Sequence, residues 1–482
     1  MMSDKRRKRV QQNGTDDRKR ISWLCRYGVP VPASLMIGLL GVLLGAGCQS
    51  YTPEPIHLQE HQKNWQSRSA DSKKVRQFVR QLKDDTGQKP DRFNVDDGLS
   101  LSEAERVALV YNPDLRTARL RAGVARASAL HAGLWSDPEF SLDVLRIMEN
   151  VPDPWVVGSA ISFTIPLSGR LDAAKEEAEA NRKAELRRVA RKEWEVRRKL
   201  RNTWMRWSAA KLRLKQNRRL VRALEDIVST TRKLEQAGEL KKTEATLFRI
   251  EHISRKNRQR KLQGELDQLQ LKLKRLLGLS PSATLDLVPN LNGPDLPGME
   301  SKQDVRNQLE DHPALARLKA EYRAAEQHLR TEINRQYPDL TFGPQYEDDT
   351  GQSRVGFIGA FPIPILNANK QGIATARAER RRAKAVYETT YERMVSRLKK
   401  QRTIYNTART NRKRIESELV PMVDRQLEDA RRLVRMGEAD PLLLLESLLR
   451  AQQIKFQLID VKLKEAQATN ALRYLLGATE SL

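Results

Sequence analysis

The chain alternates between two kinds of hydrophobic pattern. Residues 155–167 place Trp155, Val157, Ile161, Phe163, Ile165 and Leu167 on one parity, against Gly158, Ala160, Ser162 and Thr164 on the other. Phe140, Leu142 and Val144 alternate with Ser141 and Asp143. Leu340, Phe342 and Tyr346 do so with Thr341, Gln345 and Glu347. Val355, Phe357, Phe361, Ile363 and Ile365 oppose Arg354, Gly356 and Ala360. Period two predicts four strands, each near the length that crosses a bilayer, with apolar residues toward lipid. A half-buried soluble sheet has the same period. The polar stretches 149–153 and 348–352 predict hairpin turns.

Between the strand pairs the period lengthens. From Gly169 to Gln236 no proline or glycine interrupts the interior, and from Gln371 to Met436 only Gly372 and Pro421 do. The first run predicts a helix of roughly 100 Å. A helix that long persists only by lateral packing. Leu262, Leu266, Leu269, Leu273 and Leu276 form a narrow coiled-coil seam. Each long helix is expected to reverse at a glycine, Gly238 or Gly437, where a left-handed residue closes the C-terminus. Asp440 before Pro441 has the form of an N-cap followed by the first helical residue. Ser100 and Glu103 have capping-box spacing.

The plan is written twice, at a spacing of about 200 residues. Asn112-Pro113-Asp114-Leu115 matches His312-Pro313-Ala314-Leu315, and Phe163–Leu167 matches Phe361–Ile365. Gly238-Glu239 matches Gly437-Glu438, and Leu276-Leu277-Gly278 matches Leu475-Leu476-Gly477. Each half reads short helix, proline break, helix of about 22 residues, two strands, long helix, tight turn and returning helix. The expected organisation is a signal segment 1–47, a tether 48–97, a first half 98–278, a linker 279–300 and a second half 301–482. Four strands cannot close a barrel, and an open edge in hydrocarbon leaves backbone groups unpaired. Membrane-spanning strands therefore require several chains to share one barrel.

Composition agrees with long helices: 31% of residues are charged and 5% aromatic. Net charge is +27. Residues 1–47 supply a small part of it, so the mature chain stays strongly basic. That surplus is either a solvated helix surface or an attraction for anions. Two cysteines, Cys25 and Cys48, give no disulfide framework and no zinc cluster. His57 and His61 are the one close histidine pair, in a stretch that reads as tether. No Ser/His/Asp set, phosphate loop or HExxH motif is present, so no catalytic residue, cofactor or metal ligand is assigned.

The N-terminus has a basic region, Lys5–Arg9 and Arg18–Arg20, then an apolar run Val31–Leu44 and small residues before Cys48. This is the form of a secretory signal. Ala46-Gly47-Cys48 resembles a bacterial lipobox, with Gly45 in place of the usual leucine. It implies lipidation at Cys48, and Gln49 after it implies the outer membrane. An ordinary signal or an uncleaved anchor remains the alternative.

Over residues 98–482 the chain resembles the TolC-like outer membrane efflux proteins. The motifs are Leu101-Ser102-Glu103-Ala104 through Asn112-Pro113-Asp114-Leu115, and Phe361-Pro362-Ile363-Pro364-Ile365-Leu366-Asn367. The resemblance implies a mainly α fold with membrane β. Long antiparallel helices form a periplasmic α-barrel, and each protomer adds four strands to a shared trimeric outer-membrane β-barrel. It implies a homotrimer that docks a periplasmic adaptor protein and an inner-membrane pump, with neither catalytic activity nor nucleic-acid binding. The docking tips are then Gly238, Glu239, Leu240, Gly437, Glu438, Ala439 and Asp440. The periplasmic gate falls on Leu443, Glu446 and Glu244, and the family's basic partner of the last position aligns with Ala439. Glu446→Ala is expected to change conductance or cation block. The lipid-facing residues are Phe140, Leu142, Val144, Trp155, Val157, Ile161, Phe163, Ile165, Leu340, Phe342, Val355, Phe357, Phe361 and Ile363. The function implied is a passive exit duct for efflux. The alternatives are a duct for type I protein secretion and a basic coiled-coil scaffold for polyanions.

Overall fold

The computed structural model describes residues 51–86, 93–152, 154–291, 309–310, 312–349 and 351–477. The stretch read as a signal segment, and Cys48, lie outside them. The described residues up to 61 and those from 62 on belong to separate units. In the first, residues 51–57 are exposed and lack regular structure, and Leu58 opens a helix.

The first elements are α1 (Leu58–Gln66), α2 (Lys73–Thr86), α3 (Leu101–Tyr111) and α4 (Pro113–Leu130). Strands β1 (Glu139–Arg146) and β2 (Trp155–Pro166) follow, then α5 (Arg170–Gln236) and α6 (Lys242–Leu277). The order recurs as α7 (Pro313–Asn334), β3 (Asp339–Asp349), β4 (Gln352–Ala360), α8 (Lys370–Arg414), α9 (Val420–Arg435) and α10 (Pro441–Leu476). At 67 residues, α5 is about 100 Å long.

Local chemistry sets the boundaries. Ser100 accepts from the Glu103 N–H, and the Glu103 carboxylate accepts from the Ser100 N–H at 2.9 Å, so the capping box forms. Asn112 Oδ1 caps α4 by accepting from Leu115 N–H at 3.1 Å. Both Gly238 and Gly437 adopt φ +76°. At the first, Glu239 N–H reaches Leu234 O at 2.9 Å and Gly238 N–H reaches Glu235 O at 3.2 Å. Glu438 to Leu433 and Gly437 to Val434 repeat that pair of bonds. These are Schellman closures.

Three expectations need correction. The second long helix is not continuous: a π-helical turn at Ile415–Leu419 separates α8 from α9. Pro421 has no N–H for the Ser417 carbonyl, and its ring crowds that group, so the backbone widens before it. Strand β4 stops at Ala360, leaving Phe361 and Ile363 beyond the ladder. Pro362 and Pro364 cannot donate to it. The second hairpin is also tighter than residues 348–352, because Asp349 already pairs with Gln352.

The stretches read as tether and linker are partly docked. Ala70, Val75 and Val79 are buried with Leu99, Val107, Leu200, Trp204, Leu277 and Leu287. Arg68 Nη1 donates to Gly278 O at 3.1 Å, and Trp204 Nε1 to Val288 O at 3.1 Å. In the second half, Leu309, Leu315 and Leu318 pack with Met394, Leu398, Leu472 and Leu475. Toward the turns a third cluster joins Leu220 and Leu224 of α5, Phe248 of α6, Val423 and Leu427 of α9, and Leu445 and Leu448 of α10.

Candidate functional site

The four strands form one antiparallel sheet in the order β1-β2-β3-β4. Its register puts the alternating residues on a common face. Phe140 pairs with Ile161, Val144 with Val157, Phe163 with Phe342, Ile165 with Leu340, and Tyr346 with Val355. Leu142 lies on that face opposite Ser159. Most of these side chains are exposed, and Val355 and Phe357 more than 80% so. Phe361 and Ile363, past the strand end, are exposed as well. The other face carries Ser141, Asp143, Thr164, Thr341, Gln345, Glu347 and Arg354. There the Thr164 and Thr341 hydroxyls lie 3.2 Å apart. Leu145 and Ile358 break that face's polarity.

A water-soluble sheet buries its apolar face against something, and this one stays uncovered. Strands β1 and β4 are both edges, each with an unpaired ladder side. Gly343 is held tightly, since a Cβ there would stand 1.8 Å from the Ile161 carbonyl oxygen. Arg170 ties the sheet to the helices, donating through Nε to Asp339 Oδ1 at 2.9 Å and through Nη2 toward Oδ2 at 2.6 Å.

At the opposite end of α5 the two helical turns stand exposed. Glu239, Glu438 and Asp440 are open to solvent, and Leu240 and Ala439 are half-buried. Asp440 Oδ1 accepts from Leu442 N–H at 2.8 Å and starts α10. Leu443 is 38% exposed. Glu446 is exposed and pairs with Arg450 at 3.1 Å, while Glu244 is half-buried on α6. The fold thus aligns Leu443 and Glu446 on one free stripe of α10. Arg450 was not singled out in the sequence. Its i,i+4 spacing after Glu446 is the signal that finds it. A second unanticipated tie joins Arg213 of α5 to Asp460 of α10, Nε to Oδ1 at 3.0 Å.

No described helix is long and apolar enough to cross a membrane. The sheet, with one exposed apolar face and two open edges, is joined to helical passes about 100 Å long. Residues 106–279 match the outer membrane efflux protein family. Among solved structures the chain is similar to CusC, at 19% identity and TM-score 0.68 over 81% of this chain and 95% of that one. It is also similar to the CmeC outer membrane channel of Campylobacter jejuni, at 15% identity and TM-score 0.68, covering 89% and 94%. The VceC outer membrane protein of Vibrio cholerae aligns at 16% identity and TM-score 0.65, covering 78% and 96%. At these identities the likeness is one of fold. No curated protein matches in sequence. The chain has the TolC-like fold of the outer membrane efflux channels, and its first half carries that family's sequence signature.

Proposed function

We propose that the chain is the outer membrane component of a tripartite efflux system, working as a passive exit duct. Three copies close one β-barrel by pairing β1 of each with β4 of the next, which satisfies both open edges. The apolar sheet face meets lipid, and Cys48 carries the anchor. The helical passes continue the channel through the periplasm. The turns at Gly238–Leu240 and Gly437–Asp440 meet the adaptor, and through it an inner-membrane pump. Leu443, Glu446 and Glu244 are the residues assigned to the constriction at the periplasmic end. A duct of this kind does no chemistry, because the pump supplies the energy.

The observation that carries this reading is the sheet: one exposed apolar face in register across four strands, with both edges unpaired. The test is outer-membrane fractionation with crosslinking and planar-bilayer recording, comparing wild type with Cys48→Ala. A crosslinked trimer with discrete conductance supports the duct, and loss of lipid labelling in Cys48→Ala supports the anchor. A monomer that partitions into the aqueous phase and never conducts overturns both.

A further inference from the structure

The two helical turns are built alike, so their hairpins can be compared position by position. Both close on a glycine at φ +76°. Leu234 and Leu433, each four residues before it, accept the same closing bond from Glu239 and Glu438. The returning helices α6 and α10 each open four residues after it. Ten residues after it the hairpins diverge. The first carries Phe248 there, fully buried with Leu220 and Leu224. The second carries Ser447, which is buried as well and fills far less space.

Beside Ser447 an open groove of about 520 Å³ runs between α9 and α10. Met422, Ala430 and Leu433 of α9 wall it, with Leu443 and Ser447 of α10 opposite. Met422 and Leu443 are exposed, whereas Ser447 is only 2% so. The Ser447 hydroxyl is buried and has no hydrogen-bond partner. Other helical hydroxyls turn back to their own backbone, as Ser417 Oγ does to Lys413 O at 2.8 Å and Thr469 Oγ to Glu465 O at 2.9 Å. An unpaired buried hydroxyl costs stability, so a group that pairs with Ser447 is favoured. The charges on the groove's rim are exposed and engaged on their own helix. Arg425 Nε donates to Pro421 O at 3.3 Å, and Asp429 accepts from Arg432 at 3.2 Å. A charged ligand would leave water here without a buried counter-charge, and a neutral one escapes that cost.

We propose that this groove binds a small uncharged aromatic molecule carrying one hydrogen-bonding group. The first hairpin supplies its own ring at this position, Phe248; the second leaves the corresponding place to Ser447, and the ligand's ring takes it. The ligand's polar group pairs with Ser447 Oγ. Apolar walls with a single convergent polar atom are the usual makeup of a small-molecule site. The binding site stands on the hairpin's own geometry. Its effect on permeation rests on the reading above, in which Leu443 is assigned to the constriction: an occupied groove then narrows the path.

The test is equilibrium dialysis of two probes, 2-naphthol and naphthalene, against the full-length protein in amphipol. Ser447→Phe gives the second hairpin the side chain of the first and is expected to weaken 2-naphthol binding about tenfold or more, by filling the groove. Ser447→Ala keeps the space and removes the hydroxyl. It is expected to weaken 2-naphthol about fivefold and to leave naphthalene within about twofold. Amphipol and the apolar sheet take up probe in all three proteins alike, so the differences belong to the groove. Circular dichroism checks that each variant is folded. If Ser447→Phe is not, Ser447→Leu replaces it, and the same loss is required. The proposal is overturned if wild type shows no binding beyond that of Ser447→Phe, or if Ser447→Ala weakens both probes equally. Bilayer recording separates the groove from the duct. Conductance that falls with 2-naphthol in wild type and holds in Ser447→Phe places the groove on the ion path. Unchanged conductance with the dialysis result intact keeps the groove and takes it off that path. A chain that never conducts removes the duct, while dialysis still decides the groove.

Discussion

His312 Nε2 stands 2.8 Å from the carbonyl oxygen of Tyr474, joining the start of α7 to the end of α10. Its Nδ1 accepts from Ala314 N–H at 3.0 Å, so the proton must sit on Nε2 and point at Tyr474. In the first half Asn112 does the same work. Its Oδ1 accepts from Leu115 N–H, and its Nδ2 donates to Leu276 O at 2.7 Å. One half therefore caps its helix with a titratable group and the other with an amide.

The difference predicts a pH dependence with a definite sign. Burial lowers the His312 pKa below its ordinary value of 6.5; the Tyr474 carbonyl opposes this, and Arg191 adds to it. A lowered histidine pKa means that the unfolded chain binds the proton more readily. The contribution to stability is complete above pH 6.5 and is lost as pH falls from there through the lower folded-state value. Protonation also removes the acceptor for Ala314 N–H. His312→Asn is expected to retain both bonds and flatten the thermal midpoint across that window, while His312→Ala costs about 1–3 kcal/mol. Melting curves of the purified protein at several pH values decide it. Parallel pH profiles for wild type and His312→Asn would count against the assignment.

Glu105 makes a second fixed point. Its carboxylate is buried and held by Arg197, through Nη2 at 3.0 Å, and by Arg201, through Nη2 at 3.0 Å. This joins α3 to α5 at the level of Trp204. Removing the acid leaves two largely buried guanidinium groups short of their counter-charge. Glu105→Ala is expected to lower stability by about 3–5 kcal/mol. Chemical denaturation followed by circular dichroism measures it, and a loss below about 1 kcal/mol would show the pair to be dispensable.

The sequence exposed those parts of the fold that depend on local period and local caps. Alternation over 155–165 located β2 and its outward side, and the serine-to-glutamate spacing located the start of α3. Asp440 and the two turn glycines behave as their local chemistry requires. What stayed hidden depends on partners distant in sequence. Nothing near Val75 marks it for burial against Leu277, and nothing near Arg213 points to Asp460. The π turn at 415–419 was signalled by Pro421, but a proline inside a helix is equally compatible with a kink or a stop. The Phe361–Ile365 stretch kept strand alternation while its prolines removed the donors a ladder needs.

Glycines divide by what surrounds them, and the division is measurable. At Gly437 and Gly238 a Cβ meets nothing within 4 Å, so alanine costs only the left-handed backbone, about 1–2 kcal/mol. At Gly278 the backbone is also left-handed, with φ +72°, and a Cβ would lie 1.9 Å from the Tyr111 carbonyl oxygen. Gly278→Ala is expected to abolish folded trimer, and Gly437→Ala to leave it largely intact. Trimer yield in the membrane fraction reads the contrast. Equal yields for the two variants would mean that the Tyr111 contact is not retained.

The Glu446–Arg450 ion pair at the proposed constriction makes the last prediction. Glu446 and Arg450 are both well exposed, and such a pair is worth at most about 1 kcal/mol, so it opens readily. While it is closed, each Glu446 is partly neutralised by its own helix. Glu446→Ala alone should therefore change divalent-cation block only modestly. Arg450→Ala is expected to do more, because in the proposed trimer it leaves a ring of three uncompensated carboxylates and strengthens block by roughly threefold or more. Combining the two substitutions should return block to the Glu446→Ala level. Leu443→Ala, one turn nearer the end, should raise conductance without altering block, since it removes bulk and no charge. Single-channel recording with added divalent cation separates these outcomes. If Arg450→Ala leaves block unchanged, then Glu446 does not face the ion path, and the lumen-facing assignment of the α10 stripe falls with it.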